Sequence, residues 1–464
     1  MKKSHYEKLH TRLGKYYSVG DLDKFVEEIK KADFSKMIEK DTDAELIAEI
    51  NRLKDLIDAK VLKKVETWKR ILTNKQLWDR IVIDELDKRI VGEIEARETI
   101  FMCAMGKLVK NCSYTSFNLL VHSESSAGKD FVTKNVLKII PQSTVYSRTR
   151  ISPTVLNYWK PYQKAGLGGW DGSVLYLPDI SDSVLNSDAL KLMCSDGSHI
   201  TITENGEARD IEIKGKPVIF STTANATPND EIMNRFSILG LDESEEQTRR
   251  IMERQAERMV EGLTDKYDPE IVEALNHLER HKVKIPFAKE IVKAFPSKKI
   301  GERRNFERFF DFIKSIACVY QYQREFDGDF LVAELDDYNK ARDIFMGIHR
   351  GVSSIPLNSR QKQIVEVLKK ETEMIGLSDI HKLLGKYIAL KNLRPHIESL
   401  VNLKIIEKQF GKDTFGRELI VYKLSEEYLN FKPIILPIGE DLKVDSNDGS
   451  TNNYTNTTYD GYEI

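Results

Sequence analysis

Apolar residues recur every three or four positions along LDKFVEEIKKADFSKMI and DAELIAEINRLKDLIDAKVLKKVETWKRIL, the period of an amphipathic helix. No residue there stands out for chemistry, so residues 1–95 are predicted to form a helical N-terminal domain whose Leu and Ile stripes are its own core. From residue 96 the pattern changes. FNLLVH, VLYL and VIFSTTAN are short apolar runs separated by helical stretches and turn residues. That alternation predicts parallel strands and helices, an α/β core, over residues 96–245. Residues 246–352 return to helical spacing in EEQTRRIMERQAERMVEGL, EIVEALNHLERH and ERRNFERFFDFIKSIACVYQYQREF, and are read as a helical lid.

After the linker SSIPLNS, residues 355–428 read as three helices, RQKQIVEVLKK, LSDIHKLLG and NLRPHIESLVNL, then two strands, KIIEKQ and RELIVYKL. Three helices followed by a two-stranded ribbon is the order of a winged helix. Asn392 is the expected N-cap of the third helix, which puts Pro395 in the first turn, where its missing N–H costs little. Residues 429–464 are expected to be a disordered acidic tail, because VDSNDGSTNNYTNTTYDGYEI is polar and low in complexity and six acids stand against one base from Gly439 on. The fold class expected is therefore multidomain α/β, with a helical N-terminal region, an α/β core, a helical lid and a C-terminal winged helix.

Composition narrows the classes. At 464 residues the chain exceeds one hydrophobic core, and 41% hydrophobic with 31% charged residues is ordinary for a globular protein. No run of about 18 apolar residues occurs, and the basic N-terminus is not followed by an apolar segment, so membrane insertion and export are not expected. Cys103, Cys112, Cys194 and Cys318 are too far apart in sequence for a zinc motif or a disulfide scaffold, which fits a reducing, cytoplasmic setting, or a host cytoplasm for a virus- or plasmid-encoded chain. Net charge is −2, but residues 355–424 hold thirteen Lys plus Arg against eight Asp plus Glu. That local excess directs attention to DNA. Lys391, Asn392, Arg394 and His396 at the start of the third helix, with Lys408, Lys412 and Arg417 on the ribbon, suit phosphate and base-edge contacts. The alternative is a winged helix that binds protein, since the fold does not fix the partner.

The candidate chemistry begins where FNLLVH runs into SESSAGKD and the helical FVTKNVLKII. A loop between a strand and a helix N-terminus points backbone N–H groups at one spot and can cradle phosphates. Ser123, Ser125, Ser126, Ala127, Gly128, Lys129 and Asp130 form that loop, with Lys129 reaching the terminal phosphates. Against G-x-x-x-x-G-K-S/T, Ser123 replaces the first glycine and Asp130 the metal-holding hydroxyl. The alternative is a surface loop that happens to contain Gly-Lys. Asp130 could reach Mg²⁺ through its carboxylate. Downstream, DGSVLYLPDIS ends an apolar strand in Asp179, a candidate to hold Mg²⁺ or polarise water, with Asp182 as its alternate. HITITENGEARDIEI alternates on both sides of Asn-Gly, the strongest short hairpin signal. PVIFSTTAN then closes on Asn225, which can orient an attacking water, and EIMNRF offers Arg235 to the γ-phosphate of a neighbouring subunit.

Taken in order, these elements resemble the AAA+ superfamily over roughly residues 96–350, in particular the pre-sensor hairpin branch that includes the minichromosome maintenance helicases. The resemblance implies ATP and Mg²⁺ as cofactors, Asn225 as sensor one and Arg235 in the NRF turn as the trans arginine finger. RNFE resembles the R-x-L-E start of the sensor-two helix, which nominates Arg304, with Arg303 beside it. The family's hairpin tip offers a basic residue to DNA. Here the tip reads Glu204, Asn205, Gly206, Glu207, and Arg209, Lys214 and Lys216 sit lower.

The function expected is an ATP-dependent DNA helicase or replication initiator working on single- and double-stranded DNA as an oligomeric ring, a hexamer in expectation, because Arg235 would act from the adjacent subunit. Replication proteins could bind the N-terminal helices or the acidic tail. The alternative is a DNA-binding regulator or helicase loader that binds ATP with little or no hydrolysis.

Overall fold

The structure is a computed structural model. It describes residues 67–123, 127–159, 169–195, 198–204, 207–223, 228–261, 266–297, 301–349, 357, 359–371, 373–385, 389–412, 418–429 and 434–442. Packing divides the chain into Met1–Ile71 and Leu72–Ile464. The predicted N-terminal helices therefore fall almost wholly outside the described residues. Leu72–Leu86, read from the sequence as part of that domain, pack with the core instead. Leu77, Trp78, Ile81, Val82 and Leu86 are buried. The Trp78 ring meets Phe101 edge to face at 5.3 Å and its Nε1–H donates to Glu98 at 3.0 Å.

The core opens with helix α1 (Ile94–Met105), followed by strand β1 (Leu119–His122), helix α2 (Lys129–Lys138), β2 (Val145–Ser147) and β3 (Val174–Leu177). A hairpin of β4 (Ser198–Glu204) and β5 (Glu207–Ile213) precedes β6 (Val218–Thr223) and β7 (Ser237–Leu239). Five of these strands form one parallel sheet in the order β2-β3-β6-β1-β7. The runs VLYL and VIFSTT are buried at every position, as strands covered on both faces must be. After β1 the chain crosses β6 and β3 to reach the β2 edge, while β7 arrives on the other side of β1. A crevice outside the carboxyl ends of the strands, at such a reversal of order, is where open α/β sheets bind ligands.

The hairpin pairs in the register that Asn205-Gly206 predicts, from Ser198↔Ile213 to Glu204↔Glu207, although residues 205 and 206 lie outside the described residues. Ile213 is buried in the core and β5 becomes exposed toward the tip. The hairpin, a two-stranded sheet of its own, is thus rooted in the core and projects from it.

In the lid, helices α3 (Glu302–Val319) and α4 (Leu335–Ile348) pack Phe309, Phe312, Tyr338 and Phe345 together. α3 is also tied to the segment leading into β1. The buried Asp311 carboxylate accepts from Ser113 N–H at 3.0 Å, Ser116 Oγ at 2.7 Å and Lys314 Nζ at 2.9 Å. Ser315 Oγ donates to the Met102 carbonyl at 2.7 Å.

The C-terminal unit holds α5 (Ser359–Lys370), β11 (Ile375–Gly376), α6 (Leu377–Leu383), α7 (Leu390–Asn402), β12 (Ile406–Lys412) and β13 (Glu418–Leu424); β8 (Lys282–Lys284), β9 (Phe326–Asp327) and β10 (Phe330–Val332) form a small sheet in the lid. Ile364, Leu368, Ile380, Leu393, Ile397 and Leu400 make one core with Ile405 and Tyr422. The ribbon expected as two strands has three, in the order β11-β13-β12. α7 begins earlier than expected: Ala389 is the N-cap and Asn392 donates its N–H to the Ala389 carbonyl at 2.8 Å. Asn392 is therefore helical rather than a cap, and Pro395 lies inside the helix.

The tail assignment also needs correction. Residues 434–442, expected to be disordered, pack on α4. Tyr338 Oη donates to the Pro437 carbonyl at 2.8 Å and Arg342 Nε to the Leu436 carbonyl at 2.7 Å. Gly439 N–H donates to Asn339 Oδ1 at 2.7 Å, and Leu436 and Leu442 are buried. Two apolar anchors and four hydrogen bonds to one helix, the fourth from Leu436 N–H to Met346 Sδ at 3.5 Å, offset the ordering entropy that the acidic composition alone would leave unmet. Among the described residues no helix is long and apolar enough to cross a membrane.

Candidate functional site

The loop after β1 meets α2 at Gly128, whose φ of +87° favours glycine, and an added Cβ there would meet nothing within 4 Å. Lys129 is the first residue of α2, so its side chain and the free N–H groups of the helix start belong to one corner of the crevice. Ser123, at the first-glycine position, is buried, and among the described residues its hydroxyl has no hydrogen-bond partner. Ala127 is half-buried, and Ser125 and Ser126 lie outside the described residues.

The second residue of α2 shows what replaced the missing Ser or Thr. Asp130 Oδ1 accepts from Thr222 Oγ1 on β6 and from Tyr176 Oη on β3, the latter at 3.1 Å. Burial, and then the negative charge of Asp130, push the Tyr176 phenol well above its usual range, so it remains a donor. Thr222 has a second task. Its Oγ1 accepts from Asp179 N–H at 2.9 Å, and its carbonyl accepts from Ile180 N–H at 2.9 Å. Asp179 needs that support because its backbone sits at φ +48°, a left-handed conformation that aspartate tolerates better than most residues. Thr222 therefore links the two acids that the sequence nominates for the metal, one through its hydroxyl proton and the other through its lone pair. Neither Tyr176 nor Thr222 is singled out by the sequence pattern, where both read as ordinary strand formers.

Two carboxylates are what this corner offers. Among the described residues no group of three or more His, Cys, Asp and Glu could hold a metal ion. A dedicated protein cage is therefore not built here. The donor set does fit Mg²⁺ arriving with a nucleotide, since Mg²⁺ keeps several waters and takes one or two carboxylates plus phosphate oxygens. Asp182, the alternate, is exposed at the start of the turn of helix Asp182–Leu185.

The sequence also missed a cavity that Asp179 itself lines. Arg148, Thr149 and Arg150 after β2, and Leu177–Ser181 after β3, enclose about 390 Å³, with Arg148 stacked on Trp159 at 4.7 Å. On the β7 side a larger cavity of about 940 Å³ lies between Gly92–Ala96, Ile238–Ser244 and the α5 residues Lys362, Val365, Glu366 and Lys369. Glu93 on its wall accepts from Asp242 N–H at 3.1 Å, and burial pushes its carboxyl up to about 7.

Residues 64–280 match a family model described as the MTBMA_p00010 P-loop domain. The match spans the loop, both candidate acids, the hairpin and Arg235, and supports nucleotide binding at this P-loop. It begins upstream of residue 96, in keeping with the packing of Leu72–Leu86 on the core. No curated protein matches the chain.

The remaining candidates are dispersed. Asn225 lies outside the described residues. Arg235 follows the helical turn Asp230–Met233, donates to Ser195 Oγ and the Glu231 carbonyl at 3.0 Å each, and pairs with the Glu231 carboxylate at 3.2 Å. Arg304, exposed in the first turn of α3, donates to the Asn234 carbonyl at 3.2 Å, and Arg303 is exposed beside it. Arg304 is thus brought to the residue next to Arg235. Arg209 on β5 is exposed opposite Ile202. Lys391, Asn392 and Arg394 are exposed on the first turns of α7, and burial lowers the pKa of the half-buried His396. Lys408 on β12 pairs with Glu398 of α7 at 3.1 Å. Lys412 ends β12, and Arg417 lies outside the described residues.

Proposed function

We propose that this chain is an ATP-driven DNA motor of the AAA+ type, a helicase or replication initiator, assembling as a ring in which each ATP lies between two subunits. The observation that carries the reading is the position of Gly128 and Lys129 at the switch between β1 and its neighbours, with Asp130 and Asp179 joined through Thr222 beside them. In this reading the loop N–H groups and Lys129 bind the phosphates and Asp179 polarises water. Mg²⁺, when bound with ATP, neutralises developing charge on the phosphates. Arg235 and Arg304, adjacent through Asn234, would serve the site of the next subunit from one face. Residues 355–428 act as a winged helix that grips DNA through α7 and the ribbon. ATP hydrolysis by the purified chain, with and without single-stranded DNA, tests this directly. Turnover that persists unchanged in Lys129→Ala would remove the site from consideration.

A second reading, a loader or regulator that binds ATP as an assembly switch, draws on Asp130 at the usual hydroxyl position and the lack of a second acid beside Asp179, where Pro178 and Ile180 stand. ATP-dependent assembly without turnover would favour it. Strand displacement would count against it.

A further inference from the structure

Phosphate loops usually pair a hydroxyl on the helix with a carboxylate from a strand, and the two share the metal. Here the chemistry lies the other way round: the carboxylate is on α2, at Asp130, and the hydroxyls are on the strands, at Tyr176 and Thr222. We propose that acid and hydroxyl have exchanged places across the crevice, so that Asp130 carries the divalent cation of the bound nucleotide while Thr222 and Tyr176 are positioning residues. This inference rests on the nucleotide-binding reading above.

The hydrogen-bond directions support the exchange. Thr222 has one hydroxyl proton, and with Asp179 N–H already donating to its oxygen, that proton points to Asp130. Tyr176 likewise can only donate to a carboxylate. Both land on Oδ1, and among the described residues the hydrogen bonds of this carboxylate fall on that oxygen alone. Oδ2 keeps its lone pairs for a cation or a cation's water. Two donors on one oxygen also fix the plane of the carboxylate, which a two-torsion side chain at a helix start would not hold unaided. Because β6 carries Thr222 and β3 carries Tyr176, the acid is gripped by the strand that ends at Leu177, two residues before Asp179, and by the one that ends at Thr223. The cation and the catalytic acid are thereby set in one frame.

The test uses the full chain, a fluorescent ATP analogue, and titrations in EDTA, in Mg²⁺ and in Mn²⁺, the last read by electron paramagnetic resonance. The wild type is expected to bind the analogue more tightly with Mg²⁺ than in EDTA. Asp130→Asn should abolish that gain, and its affinity in EDTA should be no weaker than that of the wild type, because the carboxylate that repels the metal-free phosphates is gone. Thr222→Val, nearly isosteric, should lower Mn²⁺ affinity in the ternary complex by about 10-fold or more, as loss of a group orienting a metal ligand does. Thr222→Ser should restore it, and Tyr176→Phe should show a smaller loss. A metal-dependent gain that survives Asp130→Asn, or a Thr222→Val protein equal to wild type, overturns the exchange. Failure of the underlying reading looks different: the wild type would bind no analogue in any buffer, or Lys129→Ala would bind as the wild type does. Thermal melting of each variant separates loss of the site from loss of the fold.

Discussion

Thr222 Oγ1 receives the N–H of Asp179 at 2.9 Å and so holds a residue with a side chain at φ +48°. Asparagine visits this conformation as readily as aspartate, whereas a β-branched residue does not. Asp179→Asn should therefore keep stability within about 0.5 kcal/mol and keep nucleotide binding while lowering turnover by at least 100-fold. Asp179→Val should lose about 1–2 kcal/mol of stability as well. Paired melting and turnover measurements separate the two effects, and equal stability of the two variants would remove the strain argument.

Arg235 is held at home by Glu231 and Ser195. If it serves a neighbour's ATP, a chain with Arg235→Ala keeps a working loop and a chain with Lys129→Ala keeps a working arginine. Each alone should be inactive, and mixing them should regain a measurable fraction of ATP turnover. No recovery on mixing, with assembly of the mixture verified, would place Arg235 outside the reaction.

Glu93 faces Asp242, Arg97 and Arg250, and burial raises its carboxyl pKa from 4.5 to about 7. A carboxyl with a raised pKa holds its proton in the folded chain after the unfolded chain has released it. Stability therefore falls as pH rises from about 4.5 to about 7, and is level above that. Glu93→Gln should remove this slope and be the more stable protein at pH 8, by about 1–2 kcal/mol once partial exposure is allowed for. Parallel stability curves for the two proteins between pH 5 and 8 would contradict the assignment.

Residues 434–442 are bonded to α4, so truncation should matter only on one side of them. A chain ending at residue 442 is expected to melt with the full chain. One ending at residue 433 gives up buried Leu436 and Leu442 and should lose about 2–4 kcal/mol. Calorimetry of the two truncations decides it.

Much of the fold was legible because its signals are local. VLYL and VIFSTT are buried strands at the residues their apolar runs mark, and Asn205-Gly206 set the hairpin register that Ser198↔Ile213 confirms. The misreadings have local causes too. Asn392 resembles a cap and Pro395 invites a helix start, but the backbone had already turned at Leu390. β11 is two residues long, too short for any alternation to reveal. PIILPIGEDL was grouped with the acidic residues after it, although its apolar positions belong to α4. In the site, Gly128, Lys129, Asp130 and Asp179 were visible by residue type and spacing. Thr222 and Tyr176 were not, because their role depends on which neighbour a hydroxyl faces, and neighbours across a parallel sheet are far apart in sequence.

The anchoring of α3 has a mechanical consequence. Lifting that helix from the segment before β1 would strip the buried Asp311 of its Ser113 and Ser116 partners while carrying Lys314 away from the Asn111 carbonyl, at a cost of several kcal/mol. A helix fastened in this way does not swing free. Any stroke of the proposed motor would meet a cheaper outlet in the projecting β4–β5 arm, whose outer half is solvent-exposed and whose root is packed in the core.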